Sequence, residues 1–307
     1  MINQTKTIAI SVVIPSYKSS HTIELCLKSV LSQNTKIKYE VILIDSTPNE
    51  SVADIANKYK KITFIRSKKR LYAGQARNKG IKIAKGKIIA FTDADCIVAS
   101  DWIQNTWLSF KKNSDYMAIG GAICLDENAN DIEFVEYMGT FSELMPSMPF
   151  GNIRSGCPTA NVAYRREVFE KVGMFPETDF LSEERIFNEW VIKKYSSFLF
   201  DNAIKVVHQH RDNLMIFLRR QYINGIGFAL SRETYGLPGK YLCRYLFFLL
   251  PFASIYKKMK RIYLYSRKDL PRFVRNLHIA LLGAFVFAAG HVSFYFLKLN
   301  GNNRSGK

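Results

Sequence analysis

Two aspartates one residue apart, Asp93 and Asp95, close an otherwise apolar run that begins at Gly86. Residues 88–91 are uncharged and rich in β-formers, which predicts a short strand buried on both faces. Acids just past the carboxyl end of such a strand lie where open α/β sheets bind ligands. Two carboxylates there suit a divalent cation, and the cation in turn suits a diphosphate. The same pair also reads as a solvated turn, with Asp95 capping a helix that begins near Ala99.

Other residues could join that chemistry. Residues 40–44 form a second apolar run that ends on an acid, Asp45, so two strands would deliver carboxylates to one end of a parallel sheet. Gly74 supplies a tight turn ahead of a helix carrying Arg77, and a guanidinium beside helix N-terminal amides suits an anion. An ordinary solvated helix face accounts for the same cation. Ser182, Glu183 and Glu184 begin a helix whose Ile186, Phe187, Trp190 and Val191 share one face. Acids at that end also stabilise a helix dipole with no further role. His208 and His210 alternate with Gln209 at the end of a strand-like run. Near a diphosphate, His208 is the favoured candidate to complete a metal shell or donate a proton; a satisfied structural histidine is the plain alternative.

The elements that must position these groups follow from the hydrophobic period. Residues 8–14 predict a strand stopped by Pro15, which cannot donate to a ladder. Residues 22–33 predict a helix, 51–59 a crossover helix and 62–65 a third strand. Strand and helix alternating in this way predict an α/β, doubly wound sheet. Residues 118–124 read as a strand, and 126–151 as a partly helical excursion, either a lid or a merely ordered loop. Gly173 reads as a helix C-terminal glycine.

Composition divides the chain. Its 307 residues allow a catalytic domain with an appendage, and the formal charge of +18 is concentrated beyond Tyr241, where Asp269 is the sole acid. Apolar runs interleaved with Lys and Arg favour an anionic membrane surface over nucleic acid. Residues 277–297 contain no Asp, Glu, Lys or Arg, and about 20 such residues suffice to cross a bilayer. The cation-rich segment 257–275 belongs on the cytoplasmic side, so two full spans would break the positive-inside rule. Residues 242–256 are therefore expected in the interface, and only the later run to span or dip in; a soluble helical pair is the alternative. Five scattered cysteines with no C-x-x-C pair predict free thiols. No signal peptide is expected from residues 8–14. No G-x-G-x-x-G follows the first strand, which excludes a dinucleotide-dependent dehydrogenase.

Four ordered segments, Ser11-Val-Val-Ile-Pro15-Ser-Tyr17, Glu40-Val-Ile-Leu-Ile-Asp45, Gly74-x-x-Arg77-Asn78-x-Gly80 and Phe91-Thr-Asp93-Ala-Asp95, resemble the nucleotide-sugar-binding half of inverting glycosyltransferases of family 2. The resemblance implies a GT-A fold, a doubly wound mixed sheet. It implies a catalytic domain over residues 1–235, with a nucleotide-sugar half near 1–114 and an acceptor half near 115–235. Residues 236–307 then form a basic, apolar, membrane-associated helical region. Pro15, Tyr17 and Asp45 would line the nucleoside pocket, with Arg77 and Asn78 facing base or diphosphate. Asp93 would face ribose and metal, and Asp95 would bind the metal, Mn2+ or Mg2+, with His208 nearby.

Further along, Asn161 with the Gly173-x-Phe175 turn, and the strand ending at His208, are similar to later family segments. The family's Glu-Asp pair, whose second acid is the catalytic base, matches Glu183-Glu184, so Glu184 takes that role and Glu183 is the fallback. The chain departs from the family at Asp45-Ser46-Thr47-Pro48, where many members carry a second acid that binds a uracil imide. A Gln-x-x-Arg-Trp signature is absent, which implies transfer of one or a few sugars. The function implied is metal-dependent transfer from a nucleotide-diphospho-sugar to a glycan or lipid-linked acceptor of the cell envelope, at the cytoplasmic membrane face. An inactive nucleotide-sugar-binding or membrane partner protein in a glycan assembly complex is the alternative.

Overall fold

Val, Ile and Leu fill β1 (Ile10–Ser16), β2 (Tyr39–Asp45) and β4 (Ile88–Phe91), and nearly every side chain in their centres is buried. Such runs cannot face water on either side, so they form the middle of a covered parallel sheet. With β3 (Ile62–Arg66) they stand in the order β3-β2-β1-β4, all parallel. The crossovers are α1 (Ile23–Leu31), α2 (Ser51–Ala56) and α3 (Ala73–Ile83). The computed structural model describes residues 8–177, 183–209 and 213–302.

Pro15 does not stop β1; the strand runs on to Ser16. Strand β4 pairs with β1 only as far as Val13, so Pro15 borders β2 alone and its missing N–H costs no bond on the other side.

The sheet then becomes mixed. It takes in β5 (Cys96–Val98), β6 (Ala118–Leu125), β7 (Gly151–Ile153), β8 (Val162–Arg165) and β9 (Phe198–His208). Among the described residues these nine strands form one sheet, ordered β3-β2-β1-β4-β8-β6-β9-β5, with β7 also on β9. Strand β8 runs antiparallel to both β4 and β6, whereas β6 and β9 are parallel. Helix α4 (Trp102–Lys112) connects β5 to β6. Helix α5 (Asp131–Thr140) belongs to a second unit; α6 (Glu167–Lys171) and α7 (Glu183–Tyr195) belong with the sheet. Gly173 follows α6 at φ +104°, a value that favours glycine.

An aromatic cluster joins β4 to α7. Phe91 meets Tyr164 and Phe175 edge to face, with centroids 5.9 and 5.4 Å away, and Phe187 of α7 lies 4.4 Å from Phe175. Contacts of this kind add about 0.5–1.5 kcal/mol each beyond burial. The Tyr164 hydroxyl donates to Asn188 Oδ1 at 2.7 Å, which anchors α7 at a second point.

The chain divides into two compact units. The first holds residues 1–126, 144–178 and 183–209, hence the whole sheet; the second holds 127–143, 179–182 and 210–307. The second contains α5, α8 (Leu214–Tyr235), α9 (Lys240–Tyr245), α10 (Leu250–Tyr265), α11 (Leu270–Arg275) and α12 (Leu277–Asn302). Helix α8 continues straight through Gly225 and Gly227. A Cβ on Gly225 would come within 2.0 Å of the Phe287 carbonyl oxygen, and one on Gly290 within 2.0 Å of that of Tyr222. These glycines therefore serve the close packing of α8 on α12. Part of the basic charge in this unit is paired within it: Arg220 pairs with Glu136, Arg261 with Glu143, and Arg272 and Arg275 with Asp131.

Candidate active site

Parallel register brings the carboxyl ends of β1, β2 and β4 to one sheet edge, with Ser16 opposite Asp45. Strand β5 then turns back from the Asp93-to-Asp95 segment, and Cys96 falls opposite His208 in the antiparallel pair. The Gln209 N–H donates to the Asp95 carbonyl at 2.8 Å and closes that corner. A carboxylate oxygen of Asp95, Sγ of Cys96 and a ring nitrogen of His208 consequently lie within 4.8 Å of one another. His208 Nε2 is 3.6 Å from Asp95 Oδ1. His210 and Ser182 lie outside the described residues.

This donor set fits a divalent ion. Burial, reinforced by Asp95 and Asp93, pushes the Cys96 thiol well above its ordinary range. A neutral thiol is a poor ligand for a hard ion, so Asp95 and His208 are the groups that would hold Mn2+ or Mg2+. Asp93 stands outside that cluster. Burial raises its carboxyl above the usual range; Arg77 opposes the rise and Asp95 adds to it.

Arg77 is the hub. Its Nη2 donates to Asp93 Oδ1 at 2.9 Å and its Nη1 to Glu183 Oε1 at 2.7 Å. Only 4 % of its side chain is exposed. Burial works against the charge, but Asp93, Glu183 and Glu184 more than offset it and hold the guanidinium protonated. Gly74 matters here for space: a Cβ would stand 2.8 Å from the Pro176 carbonyl and 3.1 Å from Glu183 Cγ. Gly74 lies within the first turn of α3 and lets α7 approach. Asn78 is buried, with its amide exchanging hydrogen bonds with the Phe175 backbone at 2.9 and 3.0 Å.

The two glutamates differ. Glu183 is buried against Arg77, whereas Glu184 Oε2 accepts from the Thr159 N–H at 2.9 Å and the Thr159 hydroxyl at 2.6 Å. Oε1 of Glu184 carries no hydrogen bond from a described residue. Thr159 had no signal in the sequence, because its partner is 25 residues away.

Asp45 is fully enclosed. Its carboxylate accepts from Ser16 Oγ at 2.9 Å, Thr47 Oγ1 at 2.7 Å and Thr47 N–H at 3.2 Å. It therefore fixes the turns that follow β1 and β2. Pro15 and Tyr17 are half-buried at the same edge, and the Arg70 guanidinium lies over the Tyr17 ring.

The strand order and the acids at its parallel edge define a GT-A architecture. Over 94% of this chain and 88% of the other, it superposes on the mannosyltransferase PcManGT from Pyrobaculum calidifontis, in complex with GDP-Man and Mn2+, with a TM-score of 0.60 and 17% identity. S. aureus TarS 1–349, in complex with UDP-GlcNAc, superposes with a TM-score of 0.54 and 13% identity over 94% of this chain and 91% of that one. The family model for glycosyl transferase family 2 matches residues 11–173, and the chain belongs to that family. It is 28% identical to glycosyltransferase AglE of Haloferax volcanii over 172 residues, 54% of this chain and 56% of AglE. It is 38% identical to a poly(ribitol-phosphate) beta-glucosyltransferase of Bacillus spizizenii over 111 residues, 34% of this chain and 17% of that protein. The matches thus span about half of the first relative and less of the second.

Replacing Arg77 by Ala strands Glu183 and Asp93 without their cation, and breaking a buried pair in this way costs roughly 3–5 kcal/mol. Stranded acids have folded pKa values above their unfolded ones, so they destabilise at neutral pH and stop doing so as falling pH protonates them. Urea unfolding of Arg77→Ala should show a deficit at pH 7 that narrows toward pH 5. An unchanged midpoint at pH 7 would contradict the role of hub.

Proposed function

We propose that the chain is an inverting glycosyltransferase with residues 1–235 as its catalytic region. It moves a sugar from a nucleotide-diphospho-sugar to a glycan or lipid-linked acceptor at the cytoplasmic face of a membrane. The observation that carries this reading is the Arg77 guanidinium. It joins Asp93, two residues from the cation ligand Asp95, to Glu183, the neighbour of Glu184. Groups suited to a leaving diphosphate and a group suited to an attacking hydroxyl are thus gathered about one side chain. The solved neighbours in complex with GDP-Man and Mn2+ and with UDP-GlcNAc support a nucleotide-sugar donor and a divalent ion, and they leave base and sugar open.

In this mechanism Asp95 and His208 would hold a divalent ion, which when bound would supply positive charge against the departing diphosphate. Thr159 pins Oε2 of Glu184 and leaves Oε1 for the acceptor. Glu184 takes the proton of the acceptor hydroxyl as that oxygen bonds to the anomeric carbon, on the face opposite the breaking bond to the diphosphate. Glu183 is bound to Arg77 and serves to position rather than to accept a proton. General-base help is worth about 10²- to 10⁴-fold. Glu184→Gln should therefore lower kcat by that range while calorimetry shows donor binding unchanged. Retained turnover would remove Glu184 from the mechanism.

Membrane association, the second part of the proposal, rests on exposed aromatic residues of α9, α10 and the turn between them. Tyr245, Phe248, Phe252, Tyr256 and Tyr263 are each more than half exposed. An apolar groove of about 480 Å³ runs beside them, lined by Tyr256, Met259, Lys260, Tyr263, Leu264 and Leu270. Lys257, Lys260 and Lys268 are exposed and make no ion pair with a described residue. Aromatic rings with flanking lysines suit the headgroup layer of an anionic leaflet.

Residues Leu277–Phe296 of α12 are long and apolar enough to cross a bilayer by length and composition. Their packing along α8, which carries Arg219, Arg220, Arg232 and Glu233, favours an in-plane arrangement. The full chain should co-sediment with phosphatidylglycerol vesicles and not with phosphatidylcholine vesicles, with the double variant Phe248→Asp, Phe252→Asp bound at least tenfold less. Equal binding of variant and parent would refute this surface.

A further inference from the structure

Arg70 stands in the exposed segment between β3 and α3 and makes no ion pair with a described residue. Its guanidinium carbon lies 4.6 Å from the centre of the Tyr17 ring and 4.7 Å from that of Tyr72. A guanidinium held by aromatic faces keeps its N–H donors at its rim, as a planar fork of fixed orientation. Both rings are themselves placed. Tyr17 follows the end of β1, and Tyr72 opens α3, its N–H bound by the Gln75 side chain at 3.0 Å. The Ser46 hydroxyl donates to the Leu71 carbonyl at 3.4 Å, which ties this segment to the turn after β2. The fork therefore sits at the edge where β1 and β2 end.

The chemistry of that edge selects among nucleobases. An arginine fork is satisfied by two adjacent in-plane acceptors, and guanine presents such a pair, O6 and N7, on an edge remote from the ribose. Adenine sets a donor next to N7 and uracil has no adjacent acceptor pair; O2 and N3 of cytosine adjoin, but O2 stands against the ribose and the N4 donor beside N3 needs an acceptor of its own. Uracil also needs an acceptor for its imide N–H. Asp45, the acid closing β2, has no exposed surface and already accepts three hydrogen bonds from Ser16 and Thr47.

We infer that Arg70, held over the rings of Tyr17 and Tyr72, reads the O6/N7 edge of guanine, so that the donor is a GDP-sugar. The inference rests on the nucleotide-sugar reading above and adds the base to it. Calorimetric titration of the full chain with GDP, UDP, ADP and CDP, each with Mn2+, tests both. Wild type should bind GDP most tightly. Arg70→Ala, and Arg70→Lys, which keeps charge but not the fork, should weaken GDP about 5- to 150-fold. The other three nucleotides should change less than twofold. Three results overturn the inference: preference for another base, equal weakening of all four nucleotides, which marks a diphosphate contact, or no effect of either variant. If none of the four binds wild type, the nucleotide-sugar reading fails with it, a different outcome from a wrong base.

Discussion

One guanidinium holds the site in register. Arg77 is taken out of water, so its charge is tolerable only while both Asp93 and Glu183 remain in place. That mutual requirement fixes the start of α7 against the end of β4, with Glu183 92 positions after Phe91. Neither the aromatic cluster nor the strand ladders could do this with the same directional precision, since dispersion contacts are non-directional and the ladders stop before the acids begin. Gly74 completes the constraint by leaving room for the glutamate to reach in.

From that constraint the division of labour among the carboxylates follows. Five acids of the proposed site differ by what holds each one. Asp45 is enclosed by hydroxyls and shapes a turn. Asp93 and Glu183 neutralise Arg77. Asp95, beside His208, and Glu184, held by Thr159 through one oxygen only, keep capacity for something outside the chain. The proposed chemistry uses those two. Identical residue types are thus sorted by their neighbours rather than by sequence position.

Much of the fold was legible because the strands are apolar runs of a length helices do not adopt, with acids marking where β2 and β4 end. The aspartate cluster and His208 follow from residue type and order and Glu184 from the family resemblance, whereas the hydrogen bonds of Arg77 and Asn78 to protein groups, Glu183 and Phe175 among them, do not. Partners about a hundred residues away leave no local period to read. The three-residue strand β5, and the first half of β9 at Phe198 to Asn202, carry too little pattern to be seen alone. Pro15 misled because its cost depends on a neighbour strand that has already ended. Gly225 carries no local pattern that would reveal its role, a point of close contact with α12. The basic tail suggests an anionic membrane surface, and composition alone does not reveal that α5 and Glu143 after it pair with Arg261, Arg272 and Arg275 of the tail and with Arg220 of α8.

The central claim is that a base and a diphosphate site, held together by Arg77, act on opposite faces of one anomeric carbon. Proton NMR of the full chain turning over an α-linked nucleotide-sugar with Mn2+, sampled before mutarotation, addresses it directly. A first-formed product of β configuration is the predicted result. A first-formed α product, or intact donor across a panel of nucleotide-sugars, would contradict it.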